Sequence, residues 1–218
     1  MKLESSLADT FDRYGTEDKT PEMAFFNKPG WSNRQWTGLH FRSAQINSVI
    51  TENIYMMHSC VYPQYNSSAP IFGFDVFAGK TKITGVFHDF SPTLDHNNPM
   101  ISWFEQQVVN TQWDKTRTLP DWALAIFSPN IVAVGNLSDG PELNAVIELV
   151  NNSVGYYFNN LQLYHNKHIN NIVFQKYYCE KQKENPHNAP VLRRLGLSVE
   201  QVNQYIDTCL FPTPQNYS

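Results

Sequence analysis

Two ionisable residues of this chain lie inside apolar segments. His58 lies within Met56–Tyr62, and Asp75 lies within the aromatic segment Phe72–Phe77. If these segments are neighbouring strands, their side chains alternate between the two faces, so that His58 and Asp75 can meet across the pair. A carboxylate beside an imidazole in an aromatic cleft could donate protons to a bound ligand. The alternative is a structural or solvent-facing role, which is the commoner one for such residues in strands.

Other chemical motifs are weak. The sequence has no GxGxxG, GxxxxGK[ST], GxSxG or HExxH, so the usual dinucleotide, phosphate, hydrolase and zinc-protease signals are absent. His165 and His168 have a helical i, i+3 spacing, but no third metal ligand is near them in sequence. Cys60, Cys179 and Cys209 are too widely spread for a CxxC site. We therefore expect no bound metal and reduced thiols.

Composition narrows the class of protein further. The 218 residues include 14 Phe, 11 Tyr and 5 Trp, with 17% charged residues and a net charge of −4. Such a chain can bury enough apolar surface to fold, and it lacks the basic character expected of a nucleic-acid-binding protein. It has neither a signal-peptide pattern nor an apolar run of about 18 residues that would span a membrane. We expect a cytoplasmic protein.

The elements that must position His58 and Asp75 are strands in the first half of the chain. After a short helix near residues 6–14, residues 15–38 show no sustained period. Runs rich in β-branched and aromatic residues, bounded by Pro and Gly, then predict antiparallel strands. These runs are Ile54–Tyr62, Ile71–Phe77 and Lys82–Phe90, with a further hairpin from Ala123–Phe127 and Ile131–Val134.

The second half of the chain has a helical period. Apolar positions from Leu143 to Leu161 predict a helix of about 20 residues that begins at Pro141. Further helices are predicted at Ile169–Lys183, Pro190–Leu195 and Ser198–Cys209. Strands followed by helices predict an α+β layer protein. No linker is evident, so residues 1–218 are predicted to form a single domain.

Three ordered motifs resemble those of the ferredoxin-dependent bilin reductases, and the phycocyanobilin-forming members are the most similar. The motifs are His58–Pro63, Pro70–Gly79 and Asp89–Thr93, supported by Arg117–Trp122 and by Tyr178–Cys179 with Asn185. The resemblance covers roughly residues 40–212. It implies a three-layer α/β/α sandwich, in which helices flank a central antiparallel sheet. It also implies a monomer with no bound cofactor, which takes single electrons from reduced [2Fe-2S] ferredoxin and reduces biliverdin IXα through radical intermediates.

The resemblance also implies roles for individual residues. Asp75 would donate protons to the bilin, while His58 would hydrogen-bond its D-ring lactam region. Thr84 and Arg117 match propionate-binding positions, and Phe72, Phe74 and Phe77 are plausible cleft walls as well as core residues. Asn185 matches an asparagine of the family, but Pro186 replaces the neighbouring aspartate, which assists A-ring reduction in some relatives. Asp75 or His187 would then have to compensate.

One departure from the family pattern predicts the product. Asn47 stands where phycocyanobilin-forming enzymes carry a glutamate that protonates the D-ring exovinyl group, and an asparagine cannot supply that proton. The remaining reductions yield phycoerythrobilin through 15,16-dihydrobiliverdin. The alternatives are phycocyanobilin, if Asn47 is misplaced in this comparison, and a bilin carrier without catalysis. Because the chain and ferredoxin are both acidic, docking would need a local basic patch, for which Lys80, Lys82 and the bases between Lys176 and Arg194 are candidates.

Overall fold

A computed structural model describes residues 2–93, 97–109, 111–137 and 140–214. Its centre is a seven-stranded sheet in which the strands lie in sequence order and every neighbouring pair is antiparallel. The strands are β1 (Thr16–Glu17), β2 (Trp31–Thr37), β3 (Phe41–Ile50), β4 (Tyr55–Pro63), β5 (Ile71–Ala78), β6 (Ile83–Ser91) and β7 (Val132–Val134).

Helices cover both faces of this sheet. They are α1 (Lys2–Tyr14), α2 (Pro99–Val108), α3 (Asp121–Leu124), α4 (Pro141–Asn160), α5 (Ile172–Lys183), α6 (Asn188–Arg194) and α7 (Val199–Tyr205). Short 3₁₀ helices occur at Glu22–Phe26 and Leu161–Tyr164, and α7 continues into a π-helix at Ile206–Leu210. The predicted α+β sandwich with a central antiparallel sheet is confirmed. No helix in the described ranges is long and apolar enough to cross a membrane.

Two separate apolar cores hold the layers together. On what we call the α4 face, α1, α2 and α4 pack against strand residues that include Trp36, Phe72, Phe74 and Phe90. On the opposite α7 face, α5, α6, α7 and the π-helix pack against others that include Cys60 and Tyr62. Because successive strand residues point to opposite faces, each of the central strands contributes to both cores.

The region from 15 to 38, predicted to be irregular, contains β1 and β2. The polar stretch Ser32–Gln35 hides the alternation that would have revealed β2. Asn33 is buried and hydrogen-bonded within the α7 face, whereas Trp36, three residues later, is fully buried on the α4 face. Both faces of β2 are therefore buried, although its sequence is largely polar.

The predicted strand at Ala123–Phe127 is wrong, since α3 and a turn occupy this segment. Pro120 is the N-cap residue of α3, and its carbonyl accepts hydrogen bonds from the amides of Ala123 and Leu124. Asp121 in the first turn also favours a helix start. Only the second half of the predicted hairpin forms a strand, and β7 pairs with β6.

The helical predictions are confirmed in type, with shifted ends. The helix predicted from Pro141 is α4, which ends at Asn160. The predicted helix at 169–183 begins three residues later, at Ile172, and the single helix predicted for 198–209 is α7 together with the π-helix.

Candidate functional site

One row of side chains crosses the α7 face of the sheet. Asn33, Asn47, His58, Asp75 and Phe87 are successive cross-strand partners from β2 to β6. The antiparallel register thus brings together three residues that the sequence singled out, Asn47, His58 and Asp75. The predicted meeting of His58 and Asp75 across neighbouring strands is confirmed.

The two central members of the row form a close hydrogen-bonded pair. His58 Nδ1 lies 2.8 Å from Asp75 Oδ1, and His58 Nε2 lies 3.1 Å from the carbonyl oxygen of Leu210. A carbonyl can only accept, so Nε2 carries a hydrogen. The short contact between Nδ1 and Oδ1 then requires a second proton between the imidazole and the carboxylate. The pair therefore holds one proton that it can transfer.

The two partners differ in how they meet solvent. The His58 side chain is 6% exposed, whereas that of Asp75 is 26% exposed. Phe211 covers the imidazole in a T-shaped contact with a centroid distance of 5.3 Å. A ligand can consequently reach Asp75 directly, while His58 is shielded. Both ring nitrogens of His58 bond to protein atoms, Asp75 Oδ1 and Leu210 O, and its contact with the D-ring lactam stays a prediction.

A relay of three amides orients Asn47. The backbone N–H of Asn33 donates to Asn27 Oδ1, which identifies that atom as oxygen, and Asn33 Nδ2 donates to the same oxygen. Asn33 Oδ1 then accepts from Tyr205 and, at 3.2 Å, from Asn47 Nδ2. Among the described residues, Asn47 Oδ1 is buried with no hydrogen-bond partner. Asn47 therefore has a free acceptor and no acidic proton.

The residues predicted to bind propionates lie beside the row. The Arg117 guanidinium donates to the carbonyl of Thr84 and lies 5.8 Å from the centre of the Phe87 ring. The Thr84 hydroxyl donates to the carbonyl of Phe77, and both Arg117 and Thr84 are exposed. Phe87 is the cross-strand partner of Asp75 in the row, so the exposed guanidinium of Arg117 lies one side chain away from Asp75.

Asn185 and His187 lie in the turn between α5 and α6. The backbone N–H of His187 donates to Asn185 Oδ1 at 3.0 Å, so the Asn185 side chain braces its own turn. The His187 side chain is exposed. The structure thus places both residues in the helical layer over the α7 face and outside the row of strand residues.

The expected positions of Phe72 and Phe74 require correction. Both are at most 1% exposed in the core of the α4 face. Asp75 follows Phe74 directly, so strand alternation puts its side chain on the other face. The two phenylalanines cannot wall a cleft that Asp75 opens into, whereas Phe77 packs against the core of the α7 face.

Two thiols and a phenol near the pair are neutral. Burial raises the pKa of the Cys60 thiol, and it raises the pKa of Cys179 to about 11. Burial also holds the pKa of Tyr62 well above its ordinary value. These side chains stay protonated at neutral pH and carry no charge beside His58 and Asp75. In the described part of the chain, no cluster of three or more His, Cys, Asp or Glu residues could hold a metal ion.

Sequence reasoning missed the residues that reach the pair from far along the chain. Gln45 Nε2 donates to the carbonyls of Cys209 and Leu210, across separations of 164 and 165 residues. Tyr205 reaches Asn33 across 172 residues. The available signal was a glutamine and an asparagine next to the apolar residues Ala44, Ile46 and Val49 of β3. Nothing local indicated their partners.

Comparisons with known proteins give one family. A family model described as "Ferredoxin-dependent bilin reductase" matches residues 15–212. A phycocyanobilin:ferredoxin oxidoreductase from Prochlorococcus marinus (strain SARG) is 29% identical over 180 residues, which are 80% of this chain and 72% of that protein.

Two solved structures agree with this match. The structure of a protein called PcyX has a TM-score of 0.73 and 26% sequence identity, and the alignment covers 98% of each chain. Phytochromobilin synthase from tomato, solved in complex with biliverdin, has a TM-score of 0.76 and covers 96% of this chain and 81% of its own. Its identity of 14% makes that likeness one of fold alone.

Proposed function

This chain belongs to the ferredoxin-dependent bilin reductase family, and on that premise we propose that it reduces biliverdin IXα to phycoerythrobilin through 15,16-dihydrobiliverdin. The family assignment makes it an enzyme that acts on bilins with electrons from ferredoxin. Curated relatives are named phycocyanobilin:ferredoxin oxidoreductases, and a protein of the same fold was solved with biliverdin. The substrate and the product are our proposal.

The observation that carries the proposal is the hydrogen bond between His58 Nδ1 and the partly exposed carboxylate of Asp75. Each two-electron reduction takes two electrons from two reduced ferredoxins and two protons. The electrons arrive singly, so a substrate radical forms between them. Asp75, the more exposed partner, passes the shared proton to the bilin, which leaves a carboxylate beside a neutral His58 with its hydrogen at Nε2. Solvent resupplies the pair through the exposed side of Asp75.

The orientation of Asn47 supports phycoerythrobilin as the product. Its Nδ2 is bonded to Asn33, and its free atom is the acceptor Oδ1. Such a side chain has no acidic proton and cannot protonate a vinyl group. The D-ring vinyl group is therefore left unreduced. The two remaining reductions consume four electrons.

Arg117 and Thr84 would bind the propionates. A guanidinium is suited to two parallel hydrogen bonds with a carboxylate, and Arg117 is exposed beside Phe87. The A-ring side would lie towards Asn185 and His187. With Pro186 in place of an acid, Asp75 or His187 would supply the proton for that reduction.

Ferredoxin would dock on bases at the surface. Lys80, Lys181 and Lys183 are within 4 Å of the carboxylates of Glu52, Glu184 and Asp207, respectively. Lys82, Arg193 and Arg194 are exposed on the same chain. With a net charge of −4, the protein would attract an acidic partner only within about a Debye length, roughly 8 Å at physiological salt.

The test is an anaerobic turnover of biliverdin IXα with reduced ferredoxin, followed by chromatography of the bilins. We expect 15,16-dihydrobiliverdin early and phycoerythrobilin at the end. A dominant product with an ethyl group on the D ring would establish phycocyanobilin formation instead. An unchanged biliverdin spectrum after the addition of reduced ferredoxin would indicate a carrier. A reaction without ferredoxin is the control.

A further inference from the structure

We propose that Gln45 is a positioning residue, which fixes the hydrogen-bonding state of His58 by holding the carbonyl of Leu210. Its effect on turnover rests on the proposed function, but its effect on His58 does not. The residue lies in β3, two positions before Asn47 on the same face, and is fully buried.

A single amide joins the sheet to the end of the C-terminal helix. Gln45 Nε2 donates to the carbonyls of Cys209 and Leu210, each at 2.8 Å. Leu210 O also accepts from His58 Nε2 at 3.1 Å. Since a carbonyl oxygen has two lone pairs, these two donors fill the hydrogen-bonding capacity of Leu210 O. Gln45 and His58 therefore both hold this carbonyl in place.

The hydrogen bonds from Gln45 satisfy carbonyls at the C-terminal end of the helix. The last carbonyls of any helix lack partners within the helix. Here those carbonyls belong to the π-helix Ile206–Leu210, after which the backbone leaves helical geometry at Phe211. Gln45, which is fully buried, satisfies two of them inside the core. A π-helix is a feature that often occurs at functional sites.

The consequence for His58 follows from its two nitrogens. While Leu210 O stands opposite Nε2, that nitrogen must carry hydrogen, and Nδ1 faces Asp75. If the carbonyl moves away, the ring can hold its hydrogen at Nδ1 and leave a bare lone pair at Nε2. The pair then has one proton fewer, and Asp75 has none to give. Gln45 therefore acts on the chemistry through Leu210 and His58, without touching the bilin.

The test compares Gln45→Met with Gln64→Met in the full-length chain. Gln64 is a matched control because its side-chain amide also donates to two main-chain carbonyls, those of Gly38 and Phe41. The first readout is a long-range ¹H–¹⁵N NMR spectrum of the histidine rings without substrate, with His58→Gln used for assignment. We expect one His58 state with a slowly exchanging Nε2–H in the wild type and in Gln64→Met. In Gln45→Met we expect that proton to exchange rapidly.

The second readout is turnover of biliverdin. We expect kcat to fall by about 100-fold in Gln45→Met, as for a small misplacement of a catalytic group, while the KM changes by less than about threefold. A folded Gln45→Met variant with unchanged His58 signals would overturn the proposal. If that variant does not fold, Gln45→Asn, which keeps an amide that is too short to reach both carbonyls, replaces it.

The two proposals fail in different ways. An inactive wild type would refute the proposed reaction, whereas the His58 spectra of the two variants would still decide the role of Gln45. Fast exchange of His58 Nε2–H in the wild type would refute the role of Gln45 even if turnover were normal.

Discussion

At the scale of single residues, Asp75 should be replaceable without loss of binding. In Asp75→Asn the side chain keeps its size and can still hydrogen-bond His58, but it has no acidic proton to transfer. A positioned general acid contributes roughly 10²–10⁴-fold, so we expect turnover to fall by that factor while biliverdin still binds. Stopped-flow reduction kinetics and a spectral titration measure the two quantities. Asp9→Asn, on the exposed side of α1, is the control, and full activity of Asp75→Asn would remove Asp75 from the mechanism.

Asn47 should govern the product. In Asn47→Glu a proton donor replaces a fixed acceptor in the same row as His58, and we expect part of the product to become phycocyanobilin, with an ethyl-bearing D ring. Asn47→Gln changes the length of the side chain but supplies no acid, so its product should remain phycoerythrobilin. Chromatography of both reactions makes the comparison. Identical products from Glu and Gln would show that position 47 does not select the product.

The site was predictable from sequence only where local rules apply. His58 and Asp75 were found because strand alternation and a simple antiparallel pairing suffice to bring them together. The same alternation places Phe72 and Phe74 on the opposite face of the sheet from Asp75. Gln45 and Leu210 could not be paired, since their contact depends on where a helix more than 160 residues away comes to rest.

At the scale of elements, α7 determines where Leu210 and Phe211 lie. Its start is fixed by a capping box, in which Ser198 Oγ accepts from the amide of Gln201 and the Gln201 side chain accepts from the amide of Ser198. We expect Ser198→Ala to cost about 1 kcal/mol of unfolding free energy. Urea denaturation measures this change. Ser102→Ala, on an exposed side of α2, should change stability by less than about 0.5 kcal/mol, and an equal loss in both variants would contradict the capping role.

Elements whose composition matches their position were predicted correctly. The strands near 54–62, 71–77 and 82–90 have apolar residues on both faces, since helices cover both faces. In contrast, β2 carries buried polar residues that only the asparagine relay and Tyr205 make tolerable. Pro120 and Asp121 started a helix where a hairpin around the turn Ser128–Asn130 had been predicted. Tertiary contacts and a local start signal decided these two cases.

At the scale of the whole molecule, two adjacent residues of β6 are buried on opposite faces of the sheet. Burial shifts their pKa values in opposite directions. Burial lowers the pKa of His88 to about 4, while its Nδ1 donates to the carbonyl of Gly73. Burial raises the pKa of Asp89 to about 6, despite hydrogen bonds from Ser91 and Ser128. His88 therefore contributes stability that is present above about pH 6.5 and is lost as pH falls to about 4. Asp89 contributes stability that is present below about pH 4 and is lost as pH rises to about 6.

Replacing His88 should remove the loss of stability that its burial causes as the pH falls. We expect the stability of His88→Phe, relative to wild type, to improve by about 3 kcal/mol between pH 6.5 and pH 4, because only the wild type must bury an imidazole that is charged when unfolded. Urea denaturation at several pH values gives this difference, from which the titration of other groups cancels. His40→Phe, at a position that is not buried, should show no comparable trend. A difference that is constant with pH would contradict the role of His88.

The seven strands lie in the sheet in sequence order, which allows the strands of the site to pair in the order in which they are synthesised. Each strand pairs with the one made just before it, so the row from Asn33 through Asp75 to Phe87 can be built hairpin by hairpin as the chain leaves the ribosome. The segment that covers His58 is made more than a hundred residues after Phe87. A chain that lacks this segment would therefore leave Asn47, His58 and Asp75 uncovered on the sheet. Only when Leu210 and Phe211 are in place does His58 have the contacts that fix where its hydrogens lie.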